Sequence, residues 1–259
     1  MGQFLNVAVD SKVATVTINN PPVNVLSPDV LKDLETTMDE LVGRKDVKVI
    51  VLTGTGPVFI AGADIKQMAQ IQSVADGKKA AGEGQRVFLK IERMSKPVIA
   101  AINGVCLGGG MELAMACHIR MCSDRAKLGQ PEINLGIIPG FGGTQRMSRL
   151  VGKGKAAEWI LTGDNIAPQD AKAAGLVNHV IPEGELLRQA QGLAKKIAMK
   201  PATAIAQILK AINNGMEQPS MDAAMAVELE GFGKICESPD MKEGIKAFVE
   251  KRQPQFTDQ

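Results

Sequence analysis

Short stretches rich in β-branched residues alternate with helical patterns over the first two thirds of the chain. Residues 12–19 and 46–53 are rich in Val, Ile and Thr and are bounded by turn residues, which predicts two strands. Between them, apolar residues recur at helical spacing from Val30 to Val42, after a capping residue, Ser27, and before Gly43. The pattern therefore predicts a β-α-β unit.

The same alternation continues as far as residue 182. It predicts a helix near 76–94, a strand at 97–102, a helix at 110–117, a strand at 118–123 and a last strand at 179–182. Short strands that alternate with helices are typical of an α/β fold.

From Glu183 onward the pattern is helical, and its last amphipathic segment is 241–252. Breaks are predicted at Pro201, Gly215, Pro219 and Pro239. We therefore expect a core at 1–198 and a C-terminal helical region at 199–259, which either covers the core or forms an oligomer interface.

Composition excludes several function classes. The chain has 259 residues and a formal net charge of +2, so no global field favours nucleic acid or a membrane surface. There is no Tyr, which excludes Tyr acid catalysis, and the two histidines of one chain cannot build a multi-His metal site. An acidic ligand must be held by local groups.

The cysteines and the N-terminus indicate an intracellular protein. Cys106, Cys117, Cys122 and Cys236 form no CxxC pair, and we expect them to be reduced core residues. The first twenty residues lack a basic segment followed by an apolar one, so secretion is not predicted. We expect a cytoplasmic protein.

Three glycines before an apolar helix are the first candidate for chemistry. Gly108, Gly109 and Gly110 would leave free N–H groups at the start of the helix, which suits a developing negative charge. A tight strand-to-helix turn explains the same glycines. Glu112, in the first helical turn, is surrounded by apolar residues, so burial would raise its pKa unless it only caps the helix.

Two further segments join this candidate. Glu132 follows Pro131 and precedes an apolar, Gly-rich run, so it is either a first-turn acid or a second catalytic carboxyl group. The segment 59–66 (FIAGADIK) follows the strand at 46–53, where ligand sites of α/β proteins concentrate, although Asp64 would also serve as a helix cap. Nucleotide-binding glycine motifs are incomplete.

The segments KPVIAAINGVCLGGGMELAMAC, GQPEINLGIIPGFGGTQR and AGADIK together resemble the enoyl-CoA hydratase/isomerase (crotonase) family. The resemblance covers almost the whole chain. It implies a crotonase-like spiral of β-β-α units, with a C-terminal helical region that forms a homotrimer or a hexamer built from two trimers. It also implies an acyl-CoA substrate.

The resemblance assigns roles to residues of this chain. The backbone N–H groups of Ala63 and Gly109 would form an oxyanion hole for the thioester carbonyl, and such donors each contribute roughly 2.7–4 kcal/mol in other enzymes. Glu112 would activate a water for attack at Cβ, while Glu132 would deliver a proton to Cα. The implied activity is that of a 2-enoyl-CoA hydratase, a hydro-lyase.

The CoA site implied by the resemblance lies on the loop 61–66. Its members Ala61, Ala63, Asp64, Ile65 and Lys66, with Gly109, are the expected substrate contacts. A phosphate contact from Lys251 or Arg252 is a weaker expectation. We expect no metal and no cofactor, since CoA is part of the substrate.

Two other functions stay open. A Δ3,Δ2-enoyl-CoA isomerase needs mainly the acid/base group at Cα, and some relatives bind RNA or act as scaffolds. The near-neutral charge and 3% aromatic content argue against RNA. The sequence departs from many relatives at His118 and Leu128, which affects local packing and, for Leu128, the acyl pocket.

Overall fold

The computed structural model describes residues 2–258. Nine strands are present in this part of the chain. They are β1 (Leu5–Asp10), β2 (Val13–Ile18), β3 (Val49–Gly54), β4 (Val58–Ile60), β5 (Val98–Ile102), β6 (Val105–Leu107), β7 (Ile119–Ser123), β8 (Lys127–Gly129) and β9 (His179–Ile181).

The helices are α1 (Pro28–Gly43), α2 (Ile65–Met68), α3 (Val74–Glu92), α4 (Gly109–Ala116), α5 (Gly143–Val151), α6 (Lys153–Thr162), α7 (Pro168–Ala173), α8 (Leu186–Ala198), α9 (Ala202–Met216), α10 (Met221–Cys236) and α11 (Pro239–Val249). Short 3-10 helices lie at Pro131–Leu135 and Glu183–Glu185.

The strands form two sheets, and the chain passes from one to the other in each unit. The larger sheet has the order β1-β2-β3-β5-β7-β9, in which only β1 pairs antiparallel to its neighbour. The smaller sheet has the order β4-β6-β8 and is parallel. Strands β3, β5 and β7 are each followed by a strand of the smaller sheet and then by helices. This is the spiral of β-β-α units that the resemblance implies.

The core lies on both faces of the larger sheet. Ile50 and Leu52 of β3 pack into the main apolar cluster with α1 and α4, whereas Val49 and Val51 face the other way, against α8. A strand covered on both faces reads as a continuous apolar run rather than as an alternation. The strands predicted at 46–53 and 97–102 are confirmed as β3 and β5, and both are buried throughout.

The predicted β-α-β unit is confirmed. Ser27 accepts a hydrogen bond from the Val30 N–H and caps α1, and β2 pairs parallel to β3. The helical pattern places Val42 on the apolar face of α1, but this prediction is wrong, because Val42 is 40% exposed. The breaks predicted at Pro201, Pro219 and Pro239 are confirmed, since each lies between two helices or at the start of one, but Gly215 lies inside α9, near its end.

The predictions for the four cysteines and for His118 have different outcomes. Cys106, Cys117 and Cys122 are buried free thiols as expected, but Cys236 is exposed, because it ends α10, a helix in which only Gly231 is buried. His118 accepts a hydrogen bond at Nδ1 from the Val98 N–H, which accounts for it as a packed polar residue.

Leu128 is fully buried in β8 and belongs to the main core cluster. It therefore serves the packing of the smaller sheet. None of the helices within residues 2–258 combines the length and the apolar character needed to cross a membrane.

Candidate active site

Glu112 is held inside the protein by the turn that begins α4. Gly108 has φ +52°, a conformation that side chains rarely adopt, and it turns the chain from β6 into the helix. Glu112 then lies in the first helical turn with 2% of its surface exposed. Its Oε1 accepts hydrogen bonds from the N–H groups of Phe141 and Gly143, each at 2.7 Å. The segment that contains Phe141 and Gly143 therefore holds the carboxyl group in place.

Burial raises the pKa of Glu112 to about 7, because the charged form loses hydration. The N–H groups of Gly143 and Phe141 oppose this change, as does the charge of Arg146, whereas the nearby charge of Glu132 adds to it. A carboxyl group with this pKa exchanges a proton near neutrality, as a general base or acid must.

Glu132 lies at the start of the 3-10 helix Pro131–Leu135, where Pro131 is well suited to the first turn. Its side chain is buried, and burial raises its pKa. Within residues 2–258, its Oε2 atom is buried without a hydrogen-bond partner. Oε1 lies 3.1 Å from the position that a Cβ on Gly108 would occupy, so Glu132 faces the same turn from which Glu112 projects.

Ala63 and Gly109 also meet at this place. Ala63 forms an isolated parallel bridge with Leu26, in which the Leu26 N–H donates to Gly62 O and the Asp64 N–H donates to Leu26 O. These bonds do not use the Ala63 N–H. A Cβ on Gly109 would lie 3.4 Å from Ala63 N, so the two residues are in direct proximity.

Both N–H groups are available to a ligand. Gly109 is the first residue of α4, and its N–H has no intrahelical acceptor. In the described part of the chain neither this N–H nor that of Ala63 donates to a protein acceptor. Two adjacent free donors suit the oxygen of a polarised carbonyl.

The remaining members of the predicted CoA loop lie toward the surface. Asp64 caps α2 by accepting the Lys66 N–H at 2.9 Å, and Ile65 is 55% exposed. Ala61 donates its N–H to Val23 O. Ala63 therefore lies beside Gly109 at the start of α4, while Ile65 and Lys66 lie at the surface.

One of the two C-terminal cations, Arg252, is engaged elsewhere. The Arg252 guanidinium forms ion pairs with Glu243 at 2.6 Å and with Glu250 at 2.6 Å. These ion pairs hold Arg252 against the C-terminal end of α11. A contact of Arg252 with a phosphate would have to compete with them. The role of Lys251 stays a prediction.

Sequence reasoning missed the segment that holds the Glu112 carboxyl group. The sequence assigns no role of its own to the segment 139–143 (PGFGG), which lies within GQPEINLGIIPGFGGTQR, yet Phe141 and Gly143 supply the donors to Glu112. Arg146 supports this segment, since it donates to Phe141 O at 2.9 Å and pairs with Glu92 at 2.8 Å. The available signal was the cluster of glycines directly before a helix.

No group of three or more His, Cys, Asp or Glu side chains in residues 2–258 is arranged to hold a metal ion. The absence of a cofactor stays a prediction.

Comparison with known proteins shows the family of this chain. The model of the family described as enoyl-CoA hydratase/isomerase matches residues 8–259. The short-chain-enoyl-CoA hydratase of Clostridium acetobutylicum is 45% identical over 94% of this chain and 93% of its own. The crotonyl-CoA hydratase of Syntrophomonas wolfei is 43% identical over 95% of each.

Solved structures show the same fold. The crystal structure of an enoyl-CoA hydratase from Bacillus anthracis superposes with a TM-score of 0.94 and 36% identity, covering 99% of this chain and all of the other. The spiral of β-β-α units is thus the crotonase fold, and the chain belongs to the enoyl-CoA hydratase/isomerase family.

Proposed function

We propose that this protein is a 2-enoyl-CoA hydratase that acts on short acyl chains. The observation that carries the proposal is the placement of two buried carboxyl groups, Glu112 and Glu132, around the turn that presents the Gly109 N–H beside the Ala63 N–H. The named activities of the relatives at 43% and 45% identity support both the reaction and the chain length.

The backbone donors account for activation of the substrate. The thioester oxygen would accept hydrogen bonds from the N–H groups of Ala63 and Gly109. These bonds strengthen as the water oxygen adds at Cβ, because the addition moves negative charge onto the thioester oxygen. The positive end of α4 adds to the effect, because Gly109 is its first residue.

The two glutamates divide the proton transfers. Glu112 takes a proton from water as the water oxygen bonds to Cβ, and Glu132 gives a proton to Cα as the enolate collapses. The net change is addition of H and OH across the double bond, with the two carboxyl groups exchanging their protonation states. The Oε2 atom of Glu112 accepts no hydrogen bond from the described residues, so it is the oxygen we assign to the water.

The CoA portion would lie along Ala61, Asp64, Ile65 and Lys66, with the Lys66 ammonium near its phosphates. The reaction as proposed needs no metal and no redox cofactor, because Glu132 supplies the proton at Cα, water supplies the hydroxyl group at Cβ and Glu112 takes up the proton that the water releases. The same proposal includes a cytoplasmic location, which the buried free thiols Cys106, Cys117 and Cys122 support.

The activity is tested by mixing the purified protein with crotonyl-CoA and following the ultraviolet absorbance of the conjugated thioester, with identification of 3-hydroxybutanoyl-CoA as product. Loss of absorbance with this product is the expected result. If the protein does not hydrate crotonyl-CoA but rapidly forms it from 3-butenoyl-CoA, the proposal is wrong and the protein is an isomerase.

We propose further that the protein is a homotrimer or a hexamer built from two trimers. The helices α9 and α10 leave large apolar side chains exposed, which a soluble chain normally covers. They are Ile208, Ile212, Met216, Met225, Leu229 and Phe232. Light scattering should give three or six chains for the wild type and fewer for Phe232→Lys, and a wild-type monomer would contradict the proposal.

A further inference from the structure

Gln130 is a fully buried amide beside the candidate oxyanion site. It lies between β8 and the 3-10 helix that carries Glu132. Its Nε2 donates to Gly108 O at 3.1 Å. Its Oε1 points toward Gly143, where a Cβ would lie only 2.4 Å away. The side chain thus stands between the turn that begins α4 and the segment that holds Glu112.

The carbonyl that Gln130 contacts belongs to the same peptide unit as the Gly109 N–H. Because that unit is planar and conjugated, the carbonyl oxygen and the N–H point in opposite directions and share one electron system. A donor on the oxygen fixes the direction of the N–H and increases its polarity. The Glu112 N–H, at 3.0 Å, is the second donor to Gly108 O.

The other side of Gly108 is held as well. Its own N–H donates to Gly129 O at 3.0 Å, in the strand that leads to Gln130. The carbonyl of the Gly108–Gly109 peptide therefore accepts two hydrogen bonds, of which only the one from Gln130 comes from a side chain, and the preceding peptide is anchored through the Gly108 N–H.

Stability alone does not explain an amide at this position. Within residues 2–258 the Oε1 atom of Gln130 is buried without a hydrogen-bond partner. An unpaired buried acceptor is costly, and an apolar side chain of similar shape avoids that cost. The amide is better explained by what its N–H group does to Gly108.

We infer that Gln130 is a positioning residue that orients and polarises the Gly109 N–H toward the thioester oxygen. This inference rests on the proposed hydratase function. It predicts that loss of the Gln130 donor weakens stabilisation of the developing enolate and leaves the contacts with CoA unchanged.

The test compares the wild type with Gln130→Met, which keeps the length of the side chain and removes its donor. We expect kcat for crotonyl-CoA to fall about 10-fold, less than the roughly 100- to 1,000-fold loss that follows removal of an oxyanion donor, with KM changed by no more than about twofold. Ile50→Val, a core substitution in β3, is the control and should leave kcat unchanged.

A second readout separates polarisation from a general loss of packing. Butanoyl-CoA has no double bond to hydrate, and a 13C label isolates its thioester carbonyl stretch in the infrared spectrum. Binding to the wild type should move this band to lower frequency, and the displacement should be smaller in Gln130→Met and unchanged in Ile50→Val. If Gln130→Met does not fold, the smaller Gln130→Leu carries the same comparison.

The outcomes separate a failure of the proposed hydratase function from a failure of the inference about Gln130. A wild type without hydratase activity, or without a band displacement, would remove the proposed function or its oxyanion site. An active wild type whose kcat and carbonyl band are unchanged by Gln130→Met would overturn the inference alone. Equal losses in Gln130→Met and Ile50→Val would reduce Gln130 to a packing residue.

Discussion

The N–H group of Gly143 donates a hydrogen bond to Glu112 Oε1 at 2.7 Å, across an interval of 31 residues. Gly143 is the first residue of α5, so the start of one helix holds a carboxyl group that projects from the first turn of another. Both helix starts carry partial positive charge, which favours the ionised form of a group that burial would otherwise keep protonated. This balance gives Glu112 its pKa near neutrality.

Gly109→Ala should abolish most activity with little loss of stability. The new Cβ would lie 3.4 Å from Ala63 N and 3.2 Å from Leu26 Cδ1, in the space that a carbonyl oxygen needs to reach both donors. We expect kcat/KM for crotonyl-CoA to fall at least about 100-fold, as when an oxyanion donor is lost. Steady-state kinetics and a thermal unfolding curve measure the two effects.

Two other glycines serve as controls for this substitution. Gly154→Ala, in α6, meets no atom within 4 Å and should leave activity unchanged. Gly110→Ala places its Cβ 2.3 Å from Ile60 O, so it should lower stability as well as activity. Full activity in Gly109→Ala would show that the space beside Ala63 is not the oxyanion site.

Activity should depend on pH through Glu112. The proposed base must be ionised, and its pKa is about 7, so kcat/KM should rise as pH increases through about 7 and should fall again where the proposed acid, Glu132, loses its proton. The charged groups that act on Glu112 are Glu132 and Arg146, and the apparent pKa belongs to the pair of glutamates.

Arg146→Met should move this rise to higher pH. Removing the positive charge disfavours the Glu112 carboxylate, and it also removes the bond to Phe141 O that supports one of the donors to Glu112. Arg146→Lys keeps the charge and should move the profile less. A profile that stays in place or moves to lower pH in Arg146→Met would contradict this account of the pKa.

Glu112→Gln should increase the stability of the protein at alkaline pH. The pKa of Glu112 is about 7 in the folded protein and 4.5 as its reference value, so the folded state binds the proton more tightly between these values. The contribution of protonated Glu112 to the free energy of unfolding is fully present below about pH 4.5, and it is lost as the pH rises through about 7. The loss is on the order of 3 kcal/mol.

Denaturant unfolding at pH 5 and pH 8 checks this effect at one protein concentration. The free energy of unfolding should fall more between the two pH values in the wild type than in Glu112→Gln, whose amide oxygen still accepts the two N–H bonds. An equal fall in both proteins would mean that Glu112 is not held in a site that penalises its charge.

The sequence allowed prediction of most of the larger sheet but little of the smaller one. Strands such as β3 and β5 are continuous apolar runs, and α1 carries its own cap at Ser27, so local patterns suffice. The strands β4, β6 and β8 have only three residues each. Such segments have no periodicity of their own, and only pairing between distant parts of the chain defines them.

The same distinction applies to the site. Glu112 and Glu132 are conspicuous as carboxyl groups in apolar surroundings, and the glycines beside them indicate close backbone approach. The contributions of Gln130 and Gly143 depend on contacts across 22 and 31 residues, and each is made by an ordinary amide group. The glycine cluster before α5 is a local sign of Gly143, but nothing in the local sequence marks Gln130.

The two-glutamate mechanism is the central claim, and it is tested most directly by crotonyl-CoA hydration in Glu112→Gln and Glu132→Gln, each purified as the same oligomer as the wild type. Both substitutions keep the shape of the side chain and remove its acid/base function. We predict that each lowers kcat by about 100- to 10,000-fold, the range for loss of a general acid or base. Wild-type rates in either variant would contradict the division of proton transfers between Glu112 and Glu132.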